Sequence, residues 1–154
     1  MKVAIIGIGA MGGPMAANLV KAGYEVTIYD TDAARAAGLA AEIGATSAAR
    51  LADLADHEAI VTMLPTGQIV RSVFLEAYGG ALGKALKPGA LVIDMSSSEP
   101  VGTQALGAEI AKTGAVLIDA PVSRLVTERL AQARDELGAT KDNSVAILAW
   151  DKDL

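Results

Sequence analysis

Short apolar runs alternate with longer amphipathic stretches along most of this chain. Val3 to Ile6 is an uninterrupted apolar run closed by Gly7, the pattern of a strand buried on both faces of a parallel sheet. From Met11 to Lys21 the period changes: Met11, Met15 and Leu19 recur at i, i+4 and i+8, Pro14 falls in the first turn, and Gly23 stands where a C-terminal cap belongs. Tyr24 to Tyr29 reads as a second strand closed by Asp30, and an Ala-rich helix from Asp32 to Ile43 stops at Gly44. Ala59 to Leu64 is a strand ended by Pro65, and Gln68 to Leu75 a short helix. Lys87-Pro88-Gly89 marks a turn before the strand Ala90 to Asp94. Pro100 to Lys112 is helical, with Leu106 and Ile110 on one face, and a last strand from Ala115 to Asp119 precedes Pro121. Strands and helices in this alternation predict an α/β, doubly wound, mainly parallel sheet with helices on both faces.

The texture changes after Ser123. Arg124 to Leu137 reads as a charged amphipathic helix closed by Gly138, followed by a polar run from Lys141 to Ser144. An apolar piece from Val145 to Trp150 precedes an acidic end, with Trp150 expected to pack the tail on the sheet. The expected organisation is one α/β domain over 1–123 and a short helical tail over 124–154.

Composition narrows the chemistry. Hydrophobic residues make up 52% of the 154 and aromatics only 3%, so the core is predicted from Ala, Val, Ile and Leu. With no cysteine, disulfide scaffolds, thiolate metal sites and cysteine nucleophiles are excluded, and no metal site is expected. A net charge of −5 argues against nucleic acid as a partner. No apolar stretch approaches the roughly 20 residues that span a bilayer, and the start enters a strand directly. A cytoplasmic protein with no membrane partner is the expectation.

Gly7-Ile8-Gly9-Ala10-Met11-Gly12 matches G-x-G-x-x-G between a predicted strand and helix, with Asp30 at the end of the next strand. Each position has a mechanical reason: Gly7 allows the tight turn, Gly9 lets a pyrophosphate approach the backbone, and Gly12 lets the helix lie close on the sheet. The helix N-terminus offers free N–H groups and a positive dipole end to phosphates. The arrangement predicts a Rossmann dinucleotide site. Asp30 can accept hydrogen bonds from both adenosine ribose hydroxyls, each worth about 1.5–3 kcal/mol. It would repel a 2′-phosphate by roughly 4 kcal/mol per unit charge at about 4 Å. No Arg stands at Thr31 or Asp32. NAD is therefore predicted as the cofactor in preference to NADP, and Asp32 is free to cap the following helix.

The run from Gly7 through Gly13-Pro14-Met15-Ala16-Ala17-Asn18-Leu19 resembles the start of the β-hydroxyacid dehydrogenases, the group that includes 3-hydroxyisobutyrate dehydrogenase and tartronate semialdehyde reductase. Three later stretches follow in the same order. Thr62-Met63-Leu64-Pro65 resembles the family's loop beside the cofactor, Asp94-Met95-Ser96-Ser97 its Asp-x-Ser-Thr segment near the nicotinamide, and Ala120-Pro121-Val122-Ser123 the start of its substrate-binding Pro-Val-Ser-Gly-Gly motif. The resemblance implies an oxidoreductase that interconverts a 3-hydroxy acid and its semialdehyde with NAD(P). It implies cofactor contacts from Gly7, Ile8, Gly9, Ala10, Met11, Gly12, Asp30, Thr31, Met63, Leu64, Pro65, Ser96 and Ser97, and a substrate contact from Ser123.

Arg124 and Leu125 stand where the motif has two glycines, and no Gly-x-x-x-Lys-x-x-Asn-like stretch supplies the family's catalytic lysine. Family members are longer and carry a second, helical domain, so this chain is expected to join the Rossmann domain to the last part of that domain. The alternative is a binding-only NAD module without turnover. Surface left by the absent helices would favour a homo-oligomer. Lys141 and Lys152 read as surface lysines, Arg124 as a helix-start charge that could hold a carboxylate, and His57, between Asp56 and Glu58, as a solvated loop residue.

Overall fold

In the computed structural model the described residues are 1–77 and 80–121. The predicted tail helix, Ser123, Arg124, Lys141, Trp150 and Lys152 lie outside them. Six strands, β1 (Lys2–Ile6), β2 (Glu25–Tyr29), β3 (Thr46–Ser47), β4 (Ala59–Thr62), β5 (Leu91–Asp94) and β6 (Val116–Asp119), form one sheet in the order β3-β2-β1-β4-β5-β6. Every pairing among them is parallel. This is the Rossmann order, in which the chain winds outward both ways from β1 and β4 and leaves a crevice beyond their carboxyl ends.

The central strands β1 and β4 are buried on both sides because alternate residues feed two separate cores. Val3, Ile5, Val26, Ile28, Ala59 and Val61 pack with α1 (Gly12–Lys21) and α2 (Ala33–Ile43). Ala4, Ile6, Ile60 and Val92 pack on the opposite face with Val70 of α3 (Gly67–Arg71), Leu82 of α4 (Ala81–Ala85) and Leu106 and Ile110 of α5 (Pro100–Ala111). Helices thus cover both faces, as the alternation predicts. Small side chains hold α1 and α2 close: Ala16, Ala36 and Ala40 are each buried against the sheet. Phe74, the one phenylalanine of the chain, is fully buried in the other core. At the sheet edge, Leu117 turns into that core while Val116 and Ile118, on the opposite side of β6, remain exposed.

Local chemistry sets the element ends. Asp32 caps α2, its side chain accepting the Arg35 N–H at 3.0 Å, and Gly44 closes that helix in the left-handed region at φ 78°. Pro14 occupies the first turn of α1, where its missing N–H costs nothing.

Several features depart from the expectation. Ala59 to Leu64 is strand only as far as Thr62; Met63 still donates its N–H to the Ile6 carbonyl at 2.9 Å, and Leu64 turns to Ser96 instead. The helix expected over Gln68 to Leu75 runs from Gly67 to Glu76, and its second half, Ser72–Glu76, is a π-helical turn. The two-residue β3, a 3₁₀ turn at Leu51–Leu54 and the five-residue α4 were not predicted; each is too short to show a period. His57 is not a solvated residue. It is buried, with Nδ1 3.0 Å from the Leu54 carbonyl, because the 3₁₀ turn folds the loop back on itself. Among the described residues no helix is long and apolar enough to cross a membrane.

Candidate functional site

A cleft of about 500 Å³ opens at the carboxyl ends of β1 and β4, within the 300–1,000 Å³ usual for small-molecule sites. Its floor is the turn from β1 into α1. Gly7 sits at φ +92°, and a Cβ there would press on the Met63 carbonyl and come within 2.8 Å of Leu64 Cδ2. A Cβ at Gly12 would collide with the Gly7 carbonyl. Both positions therefore require glycine for steric reasons, one for its φ and for room, the other for room alone. Gly9 differs: a Cβ there would meet nothing within 4 Å, so the space above its backbone is open to a ligand. Gly9, Ala10 and Met11 are exposed and line the cleft.

Asp30, just past β2, forms one wall with Thr31. Its carboxylate is the most heavily bonded group in the cleft. Oδ2 accepts the Ile8 N–H at 3.0 Å, tying β2 to the glycine turn, and Oδ1 accepts the Asp32 N–H at 2.9 Å. The side chain is 7% exposed. Burial pushes its carboxyl up, but the N–H groups of Asp32 and Ile8, together with Arg35, outweigh that and hold it below the ordinary carboxylate range.

Arg35 is the charged cleft residue absent from the sequence-predicted set, which also lacked the apolar lining of Ile6, Tyr29, Ile69 and Val73. Its Nη2 lies 2.7 Å from Asp30 Oδ1, and it lines the cleft beside Asp30 and Thr31. Positions 31 and 32, where a cation beside the ribose is expected, hold Thr and Asp. Arg35 lies one helical turn further on, third in α2, and side chains in a first turn lean back toward the helix N-terminus. The spacing of five from Asp30, with an N-cap between, was the available signal.

The opposite wall is Met63, Leu64 and Pro65 after β4, with Ile69 and Val73 behind. The hydrophobic run reads Met63 and Leu64 as strand, whereas the resemblance reads Met63, Leu64 and Pro65 as a loop beside the cofactor; in the structure all three line the cleft, because the chain leaves the sheet after β4. Ile8, Ser96 and Ser97 do not line the cleft. Ile8 is buried and contributes its N–H to Asp30. Ser96 is fully buried, and its Oγ accepts the Leu64 N–H at 2.9 Å, which fixes the wall from behind. Ser97 is exposed on the loop after β5. Ser96 is held in turn by Asp94, whose Oδ1 accepts the Ser96 N–H at 3.0 Å and the Thr62 hydroxyl at 2.8 Å, while Oδ2 accepts the Ser98 hydroxyl at 2.7 Å.

A glycine turn feeding a helix N-terminus, an ionised carboxylate one strand away and a cleft at the switch point of the sheet define a dinucleotide-binding Rossmann domain. The chain belongs to the family of NAD-binding domains represented by that of 6-phosphogluconate dehydrogenase, whose profile matches residues 2–133. Its relatives are of the β-hydroxyacid dehydrogenase kind that the four sequence motifs implied. The chain is 46% identical over 125 residues to the mitochondrial 3-hydroxyisobutyrate dehydrogenase of Homo sapiens, covering 79% of this chain and 35% of the relative. It is 42% identical over 123 residues to 3-sulfolactaldehyde reductase of Escherichia coli, with 79% and 40% covered. Among solved structures, the 3-hydroxyisobutyrate dehydrogenase of Mycobacterium tuberculosis with L-serine superposes with a TM-score of 0.70 at 33% identity, over 78% of this chain and 40% of that one. The chain thus spans little more than a third of the length of these relatives.

The residues present fit an NAD(P) cofactor on the geometry alone. Open space lies above the Gly9 backbone, where a pyrophosphate needs it, and the carboxylate of Asp30 faces the same cleft.

Proposed function

We propose that this chain is the cofactor-holding unit of an oxidoreductase of the 3-hydroxyacid dehydrogenase type, and that it prefers NAD to NADP. The observation that carries the preference is Asp30: an ionised carboxylate, anchored by two main-chain N–H groups, on the wall of the cleft. A carboxylate there accepts from ribose hydroxyls and repels a 2′-phosphate. The main-chain N–H groups at the mouth of α1 would hold the pyrophosphate, and the Met63–Pro65 wall would enclose the other side. When bound, the nicotinamide would supply the hydride acceptor for oxidation of a 3-hydroxy acid.

Such an oxidation also needs a group that takes the hydroxyl proton. The described lining of the cleft includes neither lysine nor histidine. The role we assign to the described residues is therefore to bind and orient the dinucleotide.

The reading is tested by calorimetric titration of NAD and NADP into the unmodified chain and into Asp30→Ala. NAD is expected to bind the unmodified chain more tightly, and Asp30→Ala to weaken NAD by about tenfold or more through loss of charge-assisted acceptors. Equal affinity of the unmodified chain for the two nucleotides overturns the preference.

The pH dependence has a definite sign. Because the Asp30 carboxyl titrates below its ordinary range, its ionised form contributes stability above the unfolded value of about 3.9, and this is lost only as pH falls through the lower folded value. NAD affinity is therefore expected to stay level from about pH 8 to about pH 5. A decline centred near neutrality in the same titrations would show that Asp30 is not the group that governs binding.

A further inference from the structure

The two sides of the sheet are not covered alike. Leu91 pairs in register with Val116, and Ile93 with Ile118, so these four side chains leave the sheet on one side, that of α1 and α2. The core under those two helices takes Val3, Ile5, Val26, Ile28, Ala59 and Val61, which belong to β1, β2 and β4. Leu91 and Ile93 are only partly buried against it, and Val116 and Ile118 are 54% and 44% exposed. On the other side the intervening residues, Val92 and Leu117, pack with Leu106 and Ile110 of α5. The outer pair of strands therefore carries an apolar strip on one side, and β6 is an open edge of the sheet. Such a strip and such an edge are normally covered by another element.

We propose that the segment from Arg124 to Leu137, which lies outside the described residues, docks as an amphipathic helix on this strip and closes the β5–β6 half of the sheet. Three observations select it. Val126, Leu130, Ala133 and Leu137 recur at i, i+4, i+7 and i+11, which makes one apolar stripe on a helix, while Arg124, Glu128 and Asp135 fall on the opposite side. As a helix the segment is about 21 Å long, enough to run the whole length of the four-residue β6, about 13 Å. It is also tethered beside the strip: only Ala120 to Ser123 separate it from the end of β6. A tether this short gives an effective concentration of the order of mM, which a second copy of the chain must outcompete at its own, lower concentration.

The test is hydrogen exchange on the full chain, read peptide by peptide by mass spectrometry, with sedimentation alongside. Amides of 124–137 are expected to be protected in the unmodified chain, equally at every protein concentration. Ile118→Asp puts a charge into the strip and should speed exchange across 124–137 by about tenfold or more, while β1 and α1 keep their protection. Glu128→Gln, on the far side of the segment, should change nothing. An unmodified chain without protection in 124–137, or protection that survives Ile118→Asp, overturns the docking. Protection that grows with concentration alongside a sedimenting dimer also overturns it, and gives the strip to a second copy. Should Ile118→Asp fail to fold, Ile118→Ala decides: faster exchange confined to 124–137 supports the docking, and unchanged exchange there overturns it.

Discussion

Gly12→Val is expected to destabilise the chain by at least about 3 kcal/mol, lowering its melting temperature by roughly 6–12 °C, and to abolish measurable binding of NAD. The cause is a contact between backbones. A Cβ at position 12 would run into the Gly7 carbonyl, and neither partner is the movable end of a side chain. Relief demands that α1 slide away from β1. That would open the core formed by Ala16 with Val3, Ile5 and Val26, and it would swing the N–H groups of the first turn off the cleft. Gly13→Ala is the control. It sits in the next position of the same helix, yet a Cβ there would find its nearest neighbours at an ordinary 3.5 Å, and alanine is the better helix former by up to about 1 kcal/mol. That variant should melt at or above the unmodified protein. Thermal melts of the two, with NAD titrations, check the pair; equal melting of Gly12→Val and Gly13→Ala would show that the close approach is not what the glycine turn provides.

The second large effect concerns a residue that is not part of the cleft lining. Asp94→Ala is expected to cost about 3 kcal/mol or more, since the buried Ser96 N–H and Thr62 hydroxyl each lose their acceptor, at about 1–3 kcal/mol apiece. The loss also travels to the cleft. Ser96 accepts the Leu64 N–H, and Leu64 is a wall of the cleft, so NAD affinity should fall together with stability. Asp94→Asn keeps one carbonyl oxygen for Thr62 and Ser96 and can donate to the Ser98 hydroxyl in place of accepting from it. It should recover a large part of both losses. Melting curves and NAD titrations of the two variants test the chain of contacts. Asn and Ala variants that behave alike would mean that packing volume, and not the acceptor, is what Asp94 supplies.

Asp94 and Ser96 show how a motif can be visible while its mode of action is not. The resemblance places Asp94-Met95-Ser96-Ser97 near the nicotinamide. In the structure Ser96 is fully buried and serves the cleft through Leu64. Whether a serine after a strand faces a ligand or a neighbouring loop depends on the direction in which the chain leaves the sheet, and no local pattern records that direction.

What the sequence determined by itself was everything governed by short-range chemistry. The apolar runs specified β1, β4 and β5 because a central parallel strand must be apolar on both faces, and strand-forming residues between turn signals marked β2 and β6. Pro14, Gly23 and Gly44 marked helix ends through φ and missing donors. Gly7, Gly9, Gly12 and Asp30 declared the dinucleotide turn because its steric demands admit few residue types. Tertiary structure alone decided what depends on distant segments meeting. It buried Ser96 behind Leu64, buried His57 beneath its own turn, and laid Arg35 on Asp30. The physical reason is one of range. Backbone preference and burial period act within a turn or a strand, whereas the partner of a charged side chain is chosen by whichever group the finished fold places within about 3 Å of it.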